Sequence, residues 1–232
     1  MFTTAANFTV DGRSKGLIDN LEGYINHFDH FLFVNDEDFV IVADNTPVVQ
    51  AADMDGGWLQ LATDAGTNND EVYLSSGESL KFTSGKKLHI GAKVKLTEAN
   101  TDDANILFGL TDQGGANTLV DDGGGPPSSY SGAVLFKVDG TLNWFAEASK
   151  TTSQSTLALA SAPAFVSGTT YIPEIVWDGA ALPFWVNGTK IYTVSDTAYI
   201  STTEMTPTFG LKNGGANQET SYWDWYVIHA ER

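Results

Sequence analysis

The sequence contains no cysteine and few basic residues, and both shortages narrow the kinds of protein that it can encode. Without cysteine, the fold has neither a disulfide framework nor a thiolate metal site. Twelve lysine and arginine residues stand against 29 acidic residues, which gives a formal charge of −17. Such a surface repels phosphate groups, so the composition argues against nucleic acids and membranes as partners.

Long apolar runs are also missing. No stretch approaches the roughly 20 apolar residues that a membrane-spanning helix needs. Residues 1–6 show no basic region followed by an apolar segment, so we expect no secretion signal. At 232 residues the chain is long for one domain, yet all-β sandwiches often reach this size undivided.

What the sequence does contain is apolar alternation with the period of two that is typical of β-strands. From about Phe31 onward such segments recur, and in the segment 88–96 the even-numbered positions are apolar. The segment 134–138 alternates in the same way, which predicts Lys137 on the face opposite its apolar neighbours. Helical periodicity is nearly absent. The pattern predicts an all-β fold, an antiparallel β-sandwich of about a dozen strands.

Turn signals between these segments agree with antiparallel pairing. Asp139-Gly140 and Asn187-Gly188 are flanked by strand-like sequence, and such dipeptides accept the positive φ angles of tight hairpin turns. Pro173 and Pro183 fall inside strand-like segments, which predicts a sheet edge or a bulge nearby.

The first 28 residues differ from the rest of the chain. They contain little strict alternation, apart from a short helix predicted around Leu17–Tyr24. We therefore predict an N-terminal arm or irregular wrap over residues 1–28 and a jelly-roll sandwich over residues 29–232. The arm packs on the core or reaches a neighbouring subunit, and the sequence does not choose between the two.

Two strings in the C-terminal half resemble the paired central strands of concanavalin A-like and laminin-G-like domains. The strings are Tyr171–Gly179, with its Trp-Asp-Gly ending, and Phe184–Tyr192, with its Val-Asn-Gly centre. Further segments resemble the opening and closing strands of the same fold: 35–39, 57–63, 207–212 and 222–227. The resemblance covers about residues 30–232 and implies a concanavalin A-like jelly roll. It does not fix a function, because this sandwich hosts lectins, glycanases, adhesion modules and viral structural proteins.

As a whole, the chain resembles the jelly-roll proteins that decorate or cement the heads of tailed bacteriophages. This resemblance rests on size, acidic cysteine-free composition, the missing signal and the short arm. It implies a structural virion protein on the capsid surface, made in the host cytoplasm and bound to the major capsid protein and to copies of itself as a homotrimer. The alternative is a carbohydrate-binding, lectin-like module or a phage adhesin that binds glycans.

Catalysis is not expected. Glycanases of this fold place two or three carboxylates on one strand in a Glu-x-Asp-x-x-Glu pattern, and the sequence lacks that spacing. The acidic clusters 36–38 and 70–71 are interpreted as solvated loop ends, and Glu174 has no acidic partner two residues away. His27 and His30 form a His-x-x-His pair with no third ligand in register, which indicates packing more than zinc binding.

Calcium is the one cofactor that the sequence leaves open, in two loops rich in oxygen ligands. Asp64, Asn68 and Asp70 flank a glycine-containing turn, and Asp121 and Asp122 precede three glycines. Neither loop matches the twelve-residue calcium pattern, and loops of this composition are usually solvated turns.

The segment 112–130 is long, rich in glycine and contains two adjacent prolines. Loops of this length inside a compact sandwich tend to be functional or mobile. We predict a partner-contacting loop, with a simple surface excursion as the alternative. The candidate contact residues are Asp121, Asp122, Pro126, Pro127 and Tyr130.

Tryptophans in predicted strands are expected mainly in the core, although aromatic side chains exposed on a sheet could stack on sugar rings. Successive residues of a strand face opposite ways. Trp223 and Trp225 should therefore share a face, with Tyr222, Asp224 and Tyr226 on the other.

Overall fold

The computed structural model describes residues 24–32, 39–100, 103–159 and 162–231, and all regular structure in these ranges is β-strand. Within the described ranges there is accordingly no helix long and apolar enough to cross a membrane. Sixteen strands are defined. In chain order they are β1 (Tyr24–Asp29), β2 (Val40–Ala43), β3 (Val48–Ala52), β4 (Trp58–Ala62), β5 (Glu71–Ser75), β6 (Leu88–Thr97), β7 (Ala104–Thr111), β8 (Tyr130–Lys137), β9 (Trp144–Thr151), β10 (Ser153–Leu159), β11 (Thr170–Tyr171), β12 (Pro173–Trp177), β13 (Leu182–Val186), β14 (Thr189–Val194), β15 (Thr206–Asn213) and β16 (Thr220–Glu231).

The strands form two antiparallel sheets. The nine-stranded sheet has the order β14-β13-β12-β6-β16-β4-β3, with β1 also paired to β16 and β11 to β6. The seven-stranded sheet has the order β10-β9-β8-β7-β15-β5-β2. One continuous apolar core lies between the sheets. This arrangement confirms the predicted all-β antiparallel sandwich.

Strand β6 shows how the apolar alternation builds this core. Its even-numbered residues from Leu88 to Leu96 face the opposite sheet and are at most 3% exposed. The odd-numbered His89, Lys93 and Lys95 lie on the outer face and are only partly buried. The prediction for this segment is confirmed, because one face of β6 meets the core and the other meets solvent.

The predicted hairpin turns differ in outcome. Asn187 and Gly188 both have positive φ (51° and 72°) and form a two-residue connection between β13 and β14, as predicted. At Asp139-Gly140 the connection is longer, because β8 ends at Lys137 and β9 begins only at Trp144. There only Gly140 of the dipeptide has a positive φ.

The prediction that Trp223 and Trp225 share a face of their strand is wrong. The register of β16 against β6 shifts between Trp223 and Trp225, which marks a β-bulge. Trp223 is fully buried in the core, whereas Trp225 stacks on Phe28 of β1. Tyr226, predicted to face away from Trp223, also joins the core. An extra residue in a strand reverses the facing of the residues after it, and the alternation does not reveal it.

Lys137 lies on the face of β8 opposite Val134 and Phe136, as the alternation predicts, but this face meets the core and not solvent. It shares the core-facing side of β8 with Leu135 and is 0% exposed, while Val134 and Phe136 lie on the outer face of the sheet. The outer face is nevertheless buried too, since all eight residues of β8 are buried. A sheet that is covered on both sides removes the contrast on which alternation depends.

The predicted boundary between arm and sandwich falls inside β1. Residues 24–28, assigned to the arm, pair with β16 from Tyr24↔Glu231 onward and belong to the nine-stranded sheet. Tyr24, the last residue of the predicted short helix, is therefore in a strand. Residues 1–23 and the acidic cluster 36–38 lie outside the described residues.

Glycines on the outer face of the seven-stranded sheet generate a first prediction. A Cβ on Gly109 would lie 2.3 Å from the backbone oxygen of Ala133, whereas a Cβ on Gly77 would meet nothing within 4 Å. Gly109→Ala should therefore force neighbouring strands apart and lower the free energy of unfolding by about 1–3 kcal/mol. Gly77→Ala should change it little. Urea unfolding of both variants tests this, and equal stabilities would contradict it.

Candidate functional site

The loop 112–130, whose last residue Tyr130 is also the first residue of β8, lies against the outer face of the seven-stranded sheet. Leu119 of the loop is fully buried there, and together with strand residues it forms a second apolar cluster, separate from the main core. The cluster comprises Tyr73, Leu107, Leu119, Tyr130, Val134 and Phe136, with Val138 and Phe145 packed against it. The loop therefore completes the burial of this sheet.

Polar contacts fix the loop along its length. Near its start, Oδ1 of Asp112 accepts a hydrogen bond from the Ser131 amide at 2.8 Å. In its middle, Val120 and Gly125 form an isolated β-bridge. Near its end, the Gln154 side chain donates to the Pro127 carbonyl at 2.8 Å. These contacts give the loop one defined conformation on the sheet.

A buried lysine holds the centre of the loop. Lys212 of β15 points to the outer face, and its side chain is 1% exposed. Its Nζ donates to Oδ1 of Asn117 at 2.8 Å and to the Leu119 carbonyl at 2.9 Å. Two carboxylates complete the surroundings: Oδ1 of Asp121 at 2.5 Å and Oε2 of Glu71 at 3.1 Å. Three of these four oxygens belong to the loop.

Glu71 is the buried member of this group. Its side chain is 2% exposed, and burial raises the pKa of the carboxyl above its usual value. The hydrogen bond from the Asn117 amide to Oε1, at 2.8 Å, and the nearby charge of Lys212 both oppose that rise. The carboxylate thus bridges the backbone of Asn117 and the ammonium of Lys212.

The candidate partner-contact residues fall into two groups. Asp121 and Asp122 are exposed, and the side chain of Asp121 is 54% exposed despite its ion pair. Pro126 and Pro127 are half-buried. Tyr130 is only 2% exposed and belongs to the second apolar cluster, so its ring supports the loop from below and is not available on the surface.

The two loops considered for calcium lie next to each other. The side-chain amides of Asn68 and Asn69 both donate to Oδ1 of Asp122, at 3.1 and 3.2 Å. The Asp122 amide in turn donates to Asn69. Sequence reasoning treated these loops separately, and the structure joins them through amide–carboxylate contacts.

The remaining calcium candidates face other partners. Asp64 accepts a hydrogen bond from the amide of the next residue, and Asp70 accepts one from the side chain of Asn45 at 2.7 Å. Asp121 pairs with Lys212. Among the residues that the structure describes, no three histidine or acidic side chains are grouped so that they could hold a metal ion. The five candidates therefore do not converge on one point.

A second buried lysine lies on the core side of the same sheet. Nζ of Lys137 is 2.7 Å from Oε1 of Glu98 and donates to the Ala104 carbonyl at 2.9 Å. Glu219 lies close to this pair and is 0% exposed. Burial, with further repulsion from Glu98 and Asp103, raises the pKa of Glu219 to about 7. Lys137 thus lies close to two buried carboxyl groups, those of Glu98 and Glu219, and Glu219 is partly protonated near neutral pH.

Sequence reasoning missed both buried lysines as parts of a site. Each follows an apolar stretch of a strand whose two faces are both buried, as in Phe209-Gly210-Leu211-Lys212. A lysine inside such a stretch is the signal that could have indicated an internal ion pair.

A carboxylate on the outer face of β9 bears on the question of catalysis. Glu147 is 4% exposed, and burial raises its pKa. It accepts hydrogen bonds from the Thr156 hydroxyl and from the Gln154 amide. Hydrolysis of a glycoside requires a second carboxyl across the bond that is cleaved. The partners observed for Glu147 are neutral side chains.

The outer face of the nine-stranded sheet carries cationic and aromatic side chains. Nζ of Lys93 lies 5.0 Å from the ring centre of Trp58, and Nζ of Lys95 lies 4.7 Å from that of Tyr222. Asp224 pairs with Lys93 at 2.5 Å. Trp58 is only 8% exposed, so little of its indole is open to solvent.

Comparison with solved structures identifies the fold. Lectin II from Ulex europaeus matches with a TM-score of 0.63 and 12% identity over 90% of this chain and 99% of its own. An endo-1,3-beta-glucanase from Streptomyces sioyaensis matches with a TM-score of 0.61 and 12% identity over 91% and 98%. A protein of unknown function from Shewanella oneidensis MR-1 matches with a TM-score of 0.59 and 16% identity over 90% and 87%.

No family model matches the sequence, and no curated protein matches it either. The structural likeness therefore extends to the fold, which is the lectin and glucanase jelly roll. Its neighbours include sugar-binding proteins and glycoside hydrolases, so the fold alone does not separate binding from catalysis.

Removing the internal cation tests how the loop is held. Lys212→Met keeps the length of the side chain but leaves the carboxylate of Glu71 buried without its counter-ion. We expect a loss of about 3–5 kcal/mol in the free energy of unfolding, because an unpaired buried charge is strongly destabilising. Lys150→Met, at an exposed lysine, is the control and should be nearly neutral. Denaturant unfolding measures both, and a stable Lys212→Met variant would contradict the role assigned to Lys212.

The carboxyl of Glu219 generates a pH prediction. Its pKa rises from 4.5 to about 7 on folding, so the folded protein binds more protons than the unfolded chain between these values. The stability that this adds is complete below pH 4.5 and is lost as the pH rises through about 7. Glu219→Gln should therefore gain up to about 3 kcal/mol over wild type between pH 4.5 and pH 8.

Unfolding at both pH values measures this difference. Exposed Glu78→Gln is the control and should show no such gain. If Glu219→Gln follows the wild-type pH profile, Glu219 does not carry the buried proton.

Proposed function

We propose that this chain is a non-catalytic structural protein of a virion, which decorates or cements a phage head by binding the major capsid protein. The observation that supports this proposal is the ordered acidic loop 112–130, held on the sheet by Lys212. The resemblance to head decoration proteins supplies the partner, and the loop supplies a surface through which binding can occur.

An ordered loop is suited to docking because little conformational entropy is lost when it binds. The loop is fixed from Asp112 to Pro127 before any partner arrives. It nevertheless exposes Asp121, Asp122 and the side chain of Val120, which is 40% exposed. An apolar contact flanked by carboxylates fits a basic partner surface with an apolar pocket.

The sandwich beneath the loop provides a firm base. The described residues of β5, β7, β8 and β15 are all buried, so the seven-stranded sheet is packed on both faces around the loop. We propose that copies of the chain assemble as trimers on the outer surface of the capsid. Loop contacts at subunit junctions would then stabilise the shell against the pressure of packaged DNA.

Co-sedimentation with capsids that lack this protein tests the proposal, together with light scattering of the free protein. We expect saturable binding at a fixed ratio to capsid subunits and a trimeric mass. Val120→Lys should weaken capsid binding at least tenfold, because it places a charge in the apolar contact. Val166→Lys is the matched control, since Val166 is 56% exposed and lies outside the loop; it should bind as wild type.

A monomer that does not bind capsids would overturn the proposal. Binding to a glycan array under the same conditions would then favour the lectin-like alternative, whose fold this chain shares. Equal loss of capsid binding in both valine variants would show that the loop is not the docking surface.

A further inference from the structure

Three side chains that hold the loop, those of Lys212, Asn117 and Glu71, bring together the groups that amide exchange requires. Nζ of Lys212 is a potential nucleophile, and it lies 2.8 Å from the carboxamide oxygen of Asn117. Glu71 lies between them, with Oε2 3.1 Å from Nζ and Oε1 accepting the Asn117 backbone amide at 2.8 Å. Lys212 and Glu71 are each about 1% exposed, so water has little access to the amine and the acid.

We propose that Lys212 and Asn117 form an intramolecular isopeptide bond, with Glu71 as the group that transfers the proton. The bond would join the loop 112–130 covalently to β15. It goes beyond the proposed function, since it would form in the isolated folded chain whether or not a capsid is bound.

The reaction balances without any further reactant. Glu71 takes a proton from Nζ, and the neutral amine attacks Cγ of Asn117 to form a tetrahedral intermediate. Glu71 then gives the proton to the side-chain nitrogen of Asn117, the bond from Cγ to that nitrogen breaks, and ammonia is released. The second proton that Nζ must lose passes to Glu71 and from it to the ammonia, which departs as ammonium. The product is a secondary amide between Nζ of Lys212 and Cγ of Asn117. Burial raises the pKa of Glu71, which makes the carboxylate a better proton acceptor.

Asn117 is a better acceptor for the amine than the neighbouring Asp121. An ionised carboxylate repels a nucleophile, and Asp121 is paired as an ion with Lys212 at 2.5 Å. The carboxamide of Asn117 is neutral, and the loop holds it against Nζ in a left-handed backbone conformation (φ 57°).

The second buried lysine provides an internal comparison. Nζ of Lys137 pairs with Glu98 and donates to the backbone carbonyls of Ala104 and Val138. It therefore combines a buried lysine with a buried acid, but the oxygens around it belong to a carboxylate and to the backbone. Such a pair has the proton acceptor and lacks the side-chain amide.

The bond would also fasten an exposed loop residue, Asn117, to a buried residue of β15. A link between residues 117 and 212 closes a large segment of the chain and lowers the entropy of the unfolded state, as a disulfide does. The chain has no cysteine with which to make such a link. An amide link needs no oxidant and survives reducing conditions.

Intact-mass spectrometry of the purified full chain tests the proposal, followed by digestion and fragmentation of the peptides. We expect a mass one ammonia below that of the sequence and a branched peptide that joins Lys212 to Asn117. Asn117→Ala and Lys212→Arg should restore the full sequence mass. Asn117→Asp should also keep its full sequence mass, because an ionised carboxylate in place of the neutral carboxamide repels the amine.

Glu71→Gln tests the role of the acid and should also keep the full mass, with circular dichroism to show that the variant is folded. Glu98→Gln is the matched control at the second lysine and should leave the link at Lys212 intact. A Glu71→Gln variant that forms the bond at the wild-type rate would overturn the role of Glu71.

Three results would overturn the bond itself. One is a folded wild-type chain with the full sequence mass after prolonged incubation. Another is loss of ammonia that maps to an Asn-Gly succinimide, for example at Asn187-Gly188. The third is loss of water with a branched peptide that joins Lys212 to Asp121.

Discussion

The placement of one ammonium group inside the protein determines how the seven-stranded sheet is covered. Lys212 projects from the outer face of β15, where it is almost fully buried. A buried ammonium costs several kcal/mol unless charges and hydrogen bonds surround it. Glu71 alone meets part of that need, and oxygens of the loop 112–130 meet the rest. The loop therefore cannot leave the sheet without exposing both the second apolar cluster and an unpaired charge.

A second buried lysine, Lys137, lies on the other side of the same sheet. The carboxylates around the two lysines differ in their exposure to solvent. Around Lys212, the carboxylate of Asp121 reaches solvent, so the excess negative charge is partly screened by water. Around Lys137, both Glu98 and Glu219 are buried. Since one lysine cannot neutralise two buried carboxylates, Glu219 retains a proton up to about pH 7. Because both faces of the sheet are buried, the site around Lys137 makes stability depend on pH through Glu219. The site around Lys212 holds the loop.

How far the sequence predicts the structure depends on whether a strand has one buried face or two. For β6, apolar core positions alternate with His89, Lys93 and Lys95 on the partly exposed face, and the prediction is confirmed. For β8, the loop covers the outer face, and a contact between residues far apart in sequence cannot be derived from a local pattern. The prediction for Trp225 fails for a related reason. The position of the β-bulge before it depends on how β16 pairs with β6 and β1. The candidate site is built from such distant pairs, so the sequence identifies the loop but not the lysine that orders it.

The internal charges also bear on what the protein can bind. Two of the 12 basic residues, Lys137 and Lys212, are buried, and so are the acidic residues Asp70, Glu71, Glu147 and Glu219, so the accessible surface keeps its excess of carboxylates. A surface of this kind is attracted to basic protein surfaces, whereas binding of an uncharged sugar gains nothing from it. The acidic residues of the loop are also held in one conformation, so they do not have to be ordered when a partner binds. An ordered acidic loop of this kind is complementary to a basic surface, while the fold that it is mounted on leaves the function open.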